Sequence, residues 1–196
     1  MSVLDQAGGD VGRTEKLIEI GSSPDSIAKV QELAKKTMKS IGYVYPRKAC
    51  AATLSHFLRE AGINMPITTG AQNLADRLRI NRHWERITVG KQLPGDVGVC
   101  YSMADDVPGA DHVYLVIRCE GDDKMIIADN QLQGTTHSRY ASGQGGKSPT
   151  EYFLRATATY IRTLADPIQD ETVWPDESTN GLPELFMDDG SARSLD

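Results

Sequence analysis

Apolar residues Ile27, Val30, Leu33, Ala34, Met38 and Ile41 recur at three- and four-residue steps, the spacing that puts them on one stripe of an α-helix. Ser22-Ser23-Pro24-Asp25 precedes the stripe and Gly42 follows it. A hydroxyl cap, a proline for the first turn and an early acid predict a helix start, and the glycine its end. Ala49 to Ala61 is a second helical run stopped by Gly62, and Ala71 to Asn81, with Leu74, Leu78 and Ile80, is a third. From Ile87 onward the pattern changes to short β runs punctuated by turns: Asp96 to Ser102, Val113 to Cys119, Lys124 to Ala128 and Tyr152 to Leu154. Helices followed by a strand meander predict an α+β domain, its N-terminal helices packed on an antiparallel β-sheet.

At 196 residues, 39% of them apolar and 24% charged, the chain has the balance of a single globular domain. Three parts are expected: a weakly patterned N-terminal extension over 1–21, the domain over 22–164, and a C-terminal tail over 165–196. That tail holds Pro167, Pro175, Pro183 and nine acids against Arg193 alone, so it carries −8 while the whole chain carries −6. The tail is expected to be mobile alone, with a protein partner to dock it. The remaining body, near +2, lacks the clustered cations that nucleic-acid binding needs. No run approaches the roughly 20 apolar residues that cross a bilayer, and no export signal opens the chain. Synthesis in the cytoplasm, without membrane insertion, is the expectation.

The candidate chemistry starts at Cys50, in the first turn of the second helix. Unpaired N–H groups and the helix dipole there favour a thiolate. Lys48 adds to that field if it points toward the sulfur. A thiolate that cuts an amide needs a base able to reprotonate the leaving amine. His112 opens the apolar Val113 to Ile117 strand, at a mouth that faces a cleft. The base needs an orienter, and Asp129, Asn130 and Gln131 end the next strand, which a hairpin through Gly121-Asp122-Asp123 brings alongside. Asp129 and Gln131 share a face and Asn130 points the other way. His56 falls on another face of the Cys50 helix, and His83 and His137 fall in polar loops. Cys100 and Cys119 read as core residues, no HExxH or paired-cysteine spacing points to a metal, and no cofactor is expected. Gly143 to Ser148 ends like a phosphate-binding loop, but Ala141 stands where its first glycine belongs and Pro149 blocks the following helix. It reads as a flexible loop flanking the cleft, whose expected walls are the Asp105 to Asp111 and Thr135 to Thr150 stretches.

The helix-borne Cys50 to Gly62, the entry Leu93-Pro94-Gly95-Asp96-Val97, the His112 strand and the following strand ending in acid and amide resemble the CHAP and NlpC-type cell-wall hydrolases over roughly Ile41 to Gln131. The chain has Ala49-Cys50-Ala51-Ala52 where that superfamily often has acid-Cys-Ser-Gly. The resemblance implies a papain-like fold over the predicted α+β domain, with Cys50 as nucleophile, His112 as base and Asp129 as orienter. It also implies that Tyr43 and Gln131 line the site, that the Cys50 N–H meets the oxyanion, and that no metal takes part. The implied activity is amide or peptide cleavage in the peptidoglycan peptide, at the wall or periplasm, with delivery by a phage particle, a holin or a secretion machine. CHAP, NlpC-type and type VI amidase branches all stay open. Two other readings share these residues: a non-enzymatic virion or secretion-apparatus assembly protein retaining the fold, and a cysteine protease or deamidase acting on host proteins.

Overall fold

The structure, a computed structural model, describes residues 9–101 and 109–158. The expected tail over 165–196 and the Asp105 to Pro108 part of the expected cleft wall lie outside the described residues. Four helices come first: α1 (Thr14–Ser22), α2 (Pro24–Ser40), α3 (Cys50–Glu60) and α4 (Ala71–Asp76), the last running on as a turn of π-helix over Arg77–Asn81. Six strands follow: β1 (Glu85–Ile87), β2 (Val97–Tyr101), β3 (Ala110–Cys119), β4 (Lys124–Ala128), β5 (His137–Tyr140) and β6 (Thr150–Arg155). They form one sheet in the order β1-β6-β2-β3-β4-β5, every neighbouring pair antiparallel. The α+β class with helices on an antiparallel sheet is thus present.

α2 begins where the pattern put it. Ser23 Oγ accepts the Ser26 N–H and Pro24 occupies the first helical position. Its buried face is Ile27, Val30, Ala34 and Met38, joined by Gln31, whereas Leu33 is only half-buried. A polar residue stands in that row because its amide bonds to the loop after β4. The segment expected as an extension contains α1. Leu17 and Ile20 of that helix are buried in the main core, and Asp10 before it accepts Trp84 Nε1–H at 2.8 Å and Arg82 Nε–H at 2.7 Å. The helix was hidden because only two of its large apolar positions reach the core. α3 is buried on nearly all sides, and the small Ala51 and Ala52 let it fit between α2 and β3.

β1 and β5 went unpredicted because Glu-Arg-Ile and His-Ser-Arg-Tyr carry no apolar alternation. Both are edge strands, held by backbone pairing to one neighbour each. The Leu93-Pro94-Gly95-Asp96 entry is a structural joint. Gly95 has φ +90, and buried Asp96 accepts Leu93 N–H at 2.8 Å and takes Arg155 of β6 in a two-pronged ion pair at 2.9 and 2.7 Å. This joint fixes β2 against β6 and so sets where β3 runs. Along β3, Val113 and Leu115 join the helix-side core, while Tyr114 and Val116 join a second cluster with Cys100, Met125, Ile127 and Phe153. Tyr114 lies directly over Gly98, where an added Cβ would sit 2.1 Å from the ring. Among the described residues, no helix is long and apolar enough to cross a membrane.

Candidate active site

Cys50 is the first residue of α3. The turn before it passes through Lys48 at φ +54, a left-handed conformation that a non-glycine residue holds only where its surroundings impose it. The first backbone bond of the helix runs from Thr53 N–H to Ala49 O at 2.9 Å, so the N–H groups of Cys50, Ala51 and Ala52 precede the ladder. No side chain caps this end and no acid sits in its first turn. The positive end of the dipole is therefore left to the thiol and to whatever anion approaches it. Cys50 is 6% exposed, and its Sγ lies 3.9 Å from the Asp111 carbonyl, the residue before His112. The Lys48 ammonium lies over the Tyr43 ring, 5.7 Å from its centroid.

His112 lies near the start of β3, opposite Cys100 of β2. Its Nε2–H donates to Asp129 Oδ2 at 3.1 Å, and Cys50 lies near enough for its charge to act on the ring. Burial pulls the imidazole toward its neutral form, but the bond to Asp129 and the charges of Asp129 and Cys50 outweigh that and raise its pKa to about 9. Asp129, at the end of β4, is buried, and burial alone would push its carboxyl up. Hydrogen bonds from His112 and His137 and the Gln131 N–H instead hold it well below the usual carboxylate range. An ionised carboxylate only accepts, so Nε2 of His112 carries its proton and Nδ1 is left for the sulfur.

Of the five residues singled out in the sequence, Cys50, His112, Asp129 and Gln131 converge and Tyr43 does not. Tyr43 packs against the cluster of Ala34, Met38, Ala49 and Ala52 and is absent from the cleft wall. It is the neighbouring Tyr45 whose buried hydroxyl feels the Asp129 charge. Its pKa is pushed up to about 12, by burial first and by that charge in part. Gln131 lines the cleft, and its Oε1 accepts from Lys147 Nζ at 2.9 Å. Asn130, expected to point the other way, lines the cleft beside Gln131 because the chain has left the strand after Ala128; it donates to the Pro46 carbonyl at 2.7 Å and so ties the loop before Cys50 to the end of β4.

Two residues that sequence reasoning missed complete the arrangement. His137, read as a loop histidine, opens β5 and gives its Nε2–H to Asp129 Oδ1 at 3.0 Å. Oδ1 also accepts the Gln131 N–H at 2.7 Å, so both carboxylate oxygens are committed and the group cannot rotate. Gln31 on α2 donates to the Asp129 carbonyl at 3.0 Å and the Leu132 carbonyl at 2.9 Å, and accepts the Gly134 N–H at 2.9 Å. A polar residue interrupting the apolar stripe of α2 was the available signal for Gln31. For His137 the signal was its register against Ile127, which no pattern in the sequence displays.

The cleft has two lobes. One, of about 470 Å³, is walled by Pro46 to Cys50 on one side and Asp111, His112, Asn130, Gln131 and Lys147 on the other. The second, of about 310 Å³, shares Asp111, His112, Gln131 and Lys147 and adds Arg139, Gly146 and Ser148. The Gly143 to Ser148 loop therefore forms part of the wall, through Gly146, Lys147 and Ser148. His56 bonds Thr37 between α2 and α3 at 3.0 Å, and burial above all lowers its pKa to about 4. All three cysteines are free. Among the described residues, no group of three or more His, Cys, Asp or Glu is placed to hold a metal ion. No family model matches this chain, and no curated protein and no solved structure matches it.

Proposed function

We propose that the chain is a papain-like cysteine hydrolase that cuts amide bonds in the peptide of peptidoglycan, in the manner of the CHAP and NlpC-type enzymes it resembles. The observation that carries the chemistry is that Cys50, at an uncapped helix N-terminus, lines one cleft lobe together with His112, which is bonded to an Asp129 whose two oxygens are both engaged. Cys50 Sγ gives its proton to His112 Nδ1 and attacks the carbonyl carbon. The oxyanion that forms takes the Cys50 N–H as a donor. As the C–N bond breaks, the imidazolium returns its proton to the departing amine, leaving a thioester on Cys50. His112 then takes a proton from water, the hydroxide attacks the thioester, and the acid and the free thiol are released. Asp129 stabilises the imidazolium and fixes its tautomer throughout.

The choice of peptidoglycan rests on the resemblance over Ile41 to Gln131. Action at the wall or periplasm, with delivery by a phage particle, a holin or a secretion machine, belongs to the same reading, as does a partner for the acidic tail. The test is digestion of purified peptidoglycan by the full chain and by Cys50→Ala, with released fragments identified by mass spectrometry. New amine and carboxyl termini from the wild type alone support the reading. Absence of new termini from the wild type would sink it and leave the assembly and host-protein readings. Cleavage that survives Cys50→Ala would instead move the nucleophile elsewhere.

A further inference from the structure

The second lobe of the cleft contains a buried cation with no counter-ion. Arg139, on β5, is 3% exposed. Its Nη2 donates to the Ser148 carbonyl at 2.8 Å and to Cys100 Sγ at 3.1 Å, and its guanidinium lies 4.8 Å from the Tyr114 ring centroid. Nε and Nη1 are buried without a hydrogen-bond partner, and no carboxylate among the described residues pairs with this side chain. The ring contact offsets part of the desolvation of the charge, but two unsatisfied donors on a buried cation still call for an anion. The titratable neighbours do not supply one. Burial pushes the Cys100 thiol and the Tyr114 hydroxyl above their ordinary values, so both are neutral near pH 7.

We propose that the lobe walled by Arg139, Lys147 and Ser148 is a subsite for a carboxylate carried on the amine side of the scissile bond. Three features support it. Arg139 has two unpartnered donors, Nε–H and Nη1–H, either of which can give a carboxylate oxygen a single charge-assisted hydrogen bond. Lys147, exposed on the shared wall and anchored through Gln131, brings a second positive charge. The one acid of that wall among the described residues, Asp111, already accepts the Ser148 hydroxyl at 3.1 Å, and against it stand the charges of Arg139 and Lys147. The side of the bond follows from the lining: this lobe touches His112 but not Cys50, and His112 is the group that reprotonates the departing amine. The subsite rests on the proposed hydrolase reading and narrows its substrate to peptides whose amine-side residue keeps a free carboxylate.

The test uses the full chain carrying Cys50→Ala, so that ligands bind without turnover. The probes are a synthetic stem peptide with a free amine-side carboxylate and its twin with a primary amide there. The carboxylate form is expected to bind at least about 10-fold tighter, with the preference lost when Arg139→Gln is added. Equal binding of the two probes overturns the subsite, while cleavage of both by the wild type would leave the hydrolase reading standing. If neither probe binds, peptidoglycan is the wrong substrate, and titration with acetate, followed at the Arg139 Nε–H resonance, decides. A saturable shift supports the subsite and no shift overturns it.

Discussion

Replacing Asp129 by asparagine changes one oxygen to an amide nitrogen with almost no change of shape, and the contacts say where that nitrogen goes. Oδ1 accepts from the Gln131 backbone N–H at 2.7 Å and from His137 Nε2–H at 3.0 Å. The backbone donor cannot change its chemistry, so the one oxygen left on the substituted side chain stays there and the new NH₂ turns toward His112. Two donors then face each other at the 3.1 Å contact. His112 relieves the conflict by moving its proton from Nε2 to Nδ1, the nitrogen that must accept from Cys50. The catalytic tautomer is lost, and so is the negative charge that stabilises the imidazolium. Loss of the same tautomer control in serine hydrolases costs about 10⁴-fold, so Asp129→Asn is expected to lower kcat/KM by ~10³–10⁴-fold, about 4–5.5 kcal/mol of transition-state stabilisation. The assay is steady-state release of amine from a defined stem peptide, with circular dichroism showing that the fold persists. A loss smaller than about 10-fold in a folded variant would refute the role given to Asp129.

Other outcomes follow from the same contacts. Gln31→Ala removes three bonds to the 129–134 loop and should lower stability by about 2–3 kcal/mol in urea unfolding; a change under about 0.5 kcal/mol would show that the loop holds itself. Gly98→Ala drives a Cβ against buried Tyr114 and should cost about 3 kcal/mol or more, a fall in Tm of roughly 6–12 °C; an unchanged Tm would mean that β2 and β3 can separate freely. The raised His112 pKa makes its contribution to stability full below its ordinary 6.5 and lost as pH rises through about 9, whereas the depressed Asp129 contributes above its ordinary 3.8 and loses that as pH falls below it. The lowered pKa of buried His56 adds a loss of stability as pH falls from 6.5 toward 4, so urea midpoints should peak near pH 6.5 and fall on both sides, with the alkaline limb flattened in Asp129→Asn; an unaltered alkaline limb in that variant would contradict the coupling.

The parts of the fold legible in the sequence are those where a single periodicity decides placement. The stripe of α2 with its Ser23-Pro24 start, and the apolar runs of β3 and β4, needed nothing but burial of one face. Cys50, His112 and Asp129 were legible for the same reason, because each stands at the end of such an element and ends of adjacent elements meet. What stayed hidden depends on pairing between distant segments. His137 acquires its role only once the polar β5 is laid against β4, and Gln31 only once α2 lies beside the 129–134 loop. Tyr43 and Tyr45 are two residues apart in a turn, where no helix or strand period assigns a direction to either. Packing places Tyr43 with Met38 and gives Tyr45 the Asp129 field. Arg139 sits in a four-residue polar strand, so its near-complete burial had no trace in the pattern.

Hydrolysis by this route requires a covalent acyl-enzyme at Cys50, and that species can be observed. An ester analogue of a stem peptide should acylate faster than the thioester hydrolyses, so rapid acid quenching of the full chain followed by intact-mass and peptide mapping would catch it. The expected result is a mass increase equal to the acyl group, confined to the fragment that contains Cys50 and absent from Cys50→Ala, with Cys100 and Cys119 unmodified. Turnover of the ester with no adduct on Cys50, or an adduct that persists when Cys50 is replaced, would contradict it.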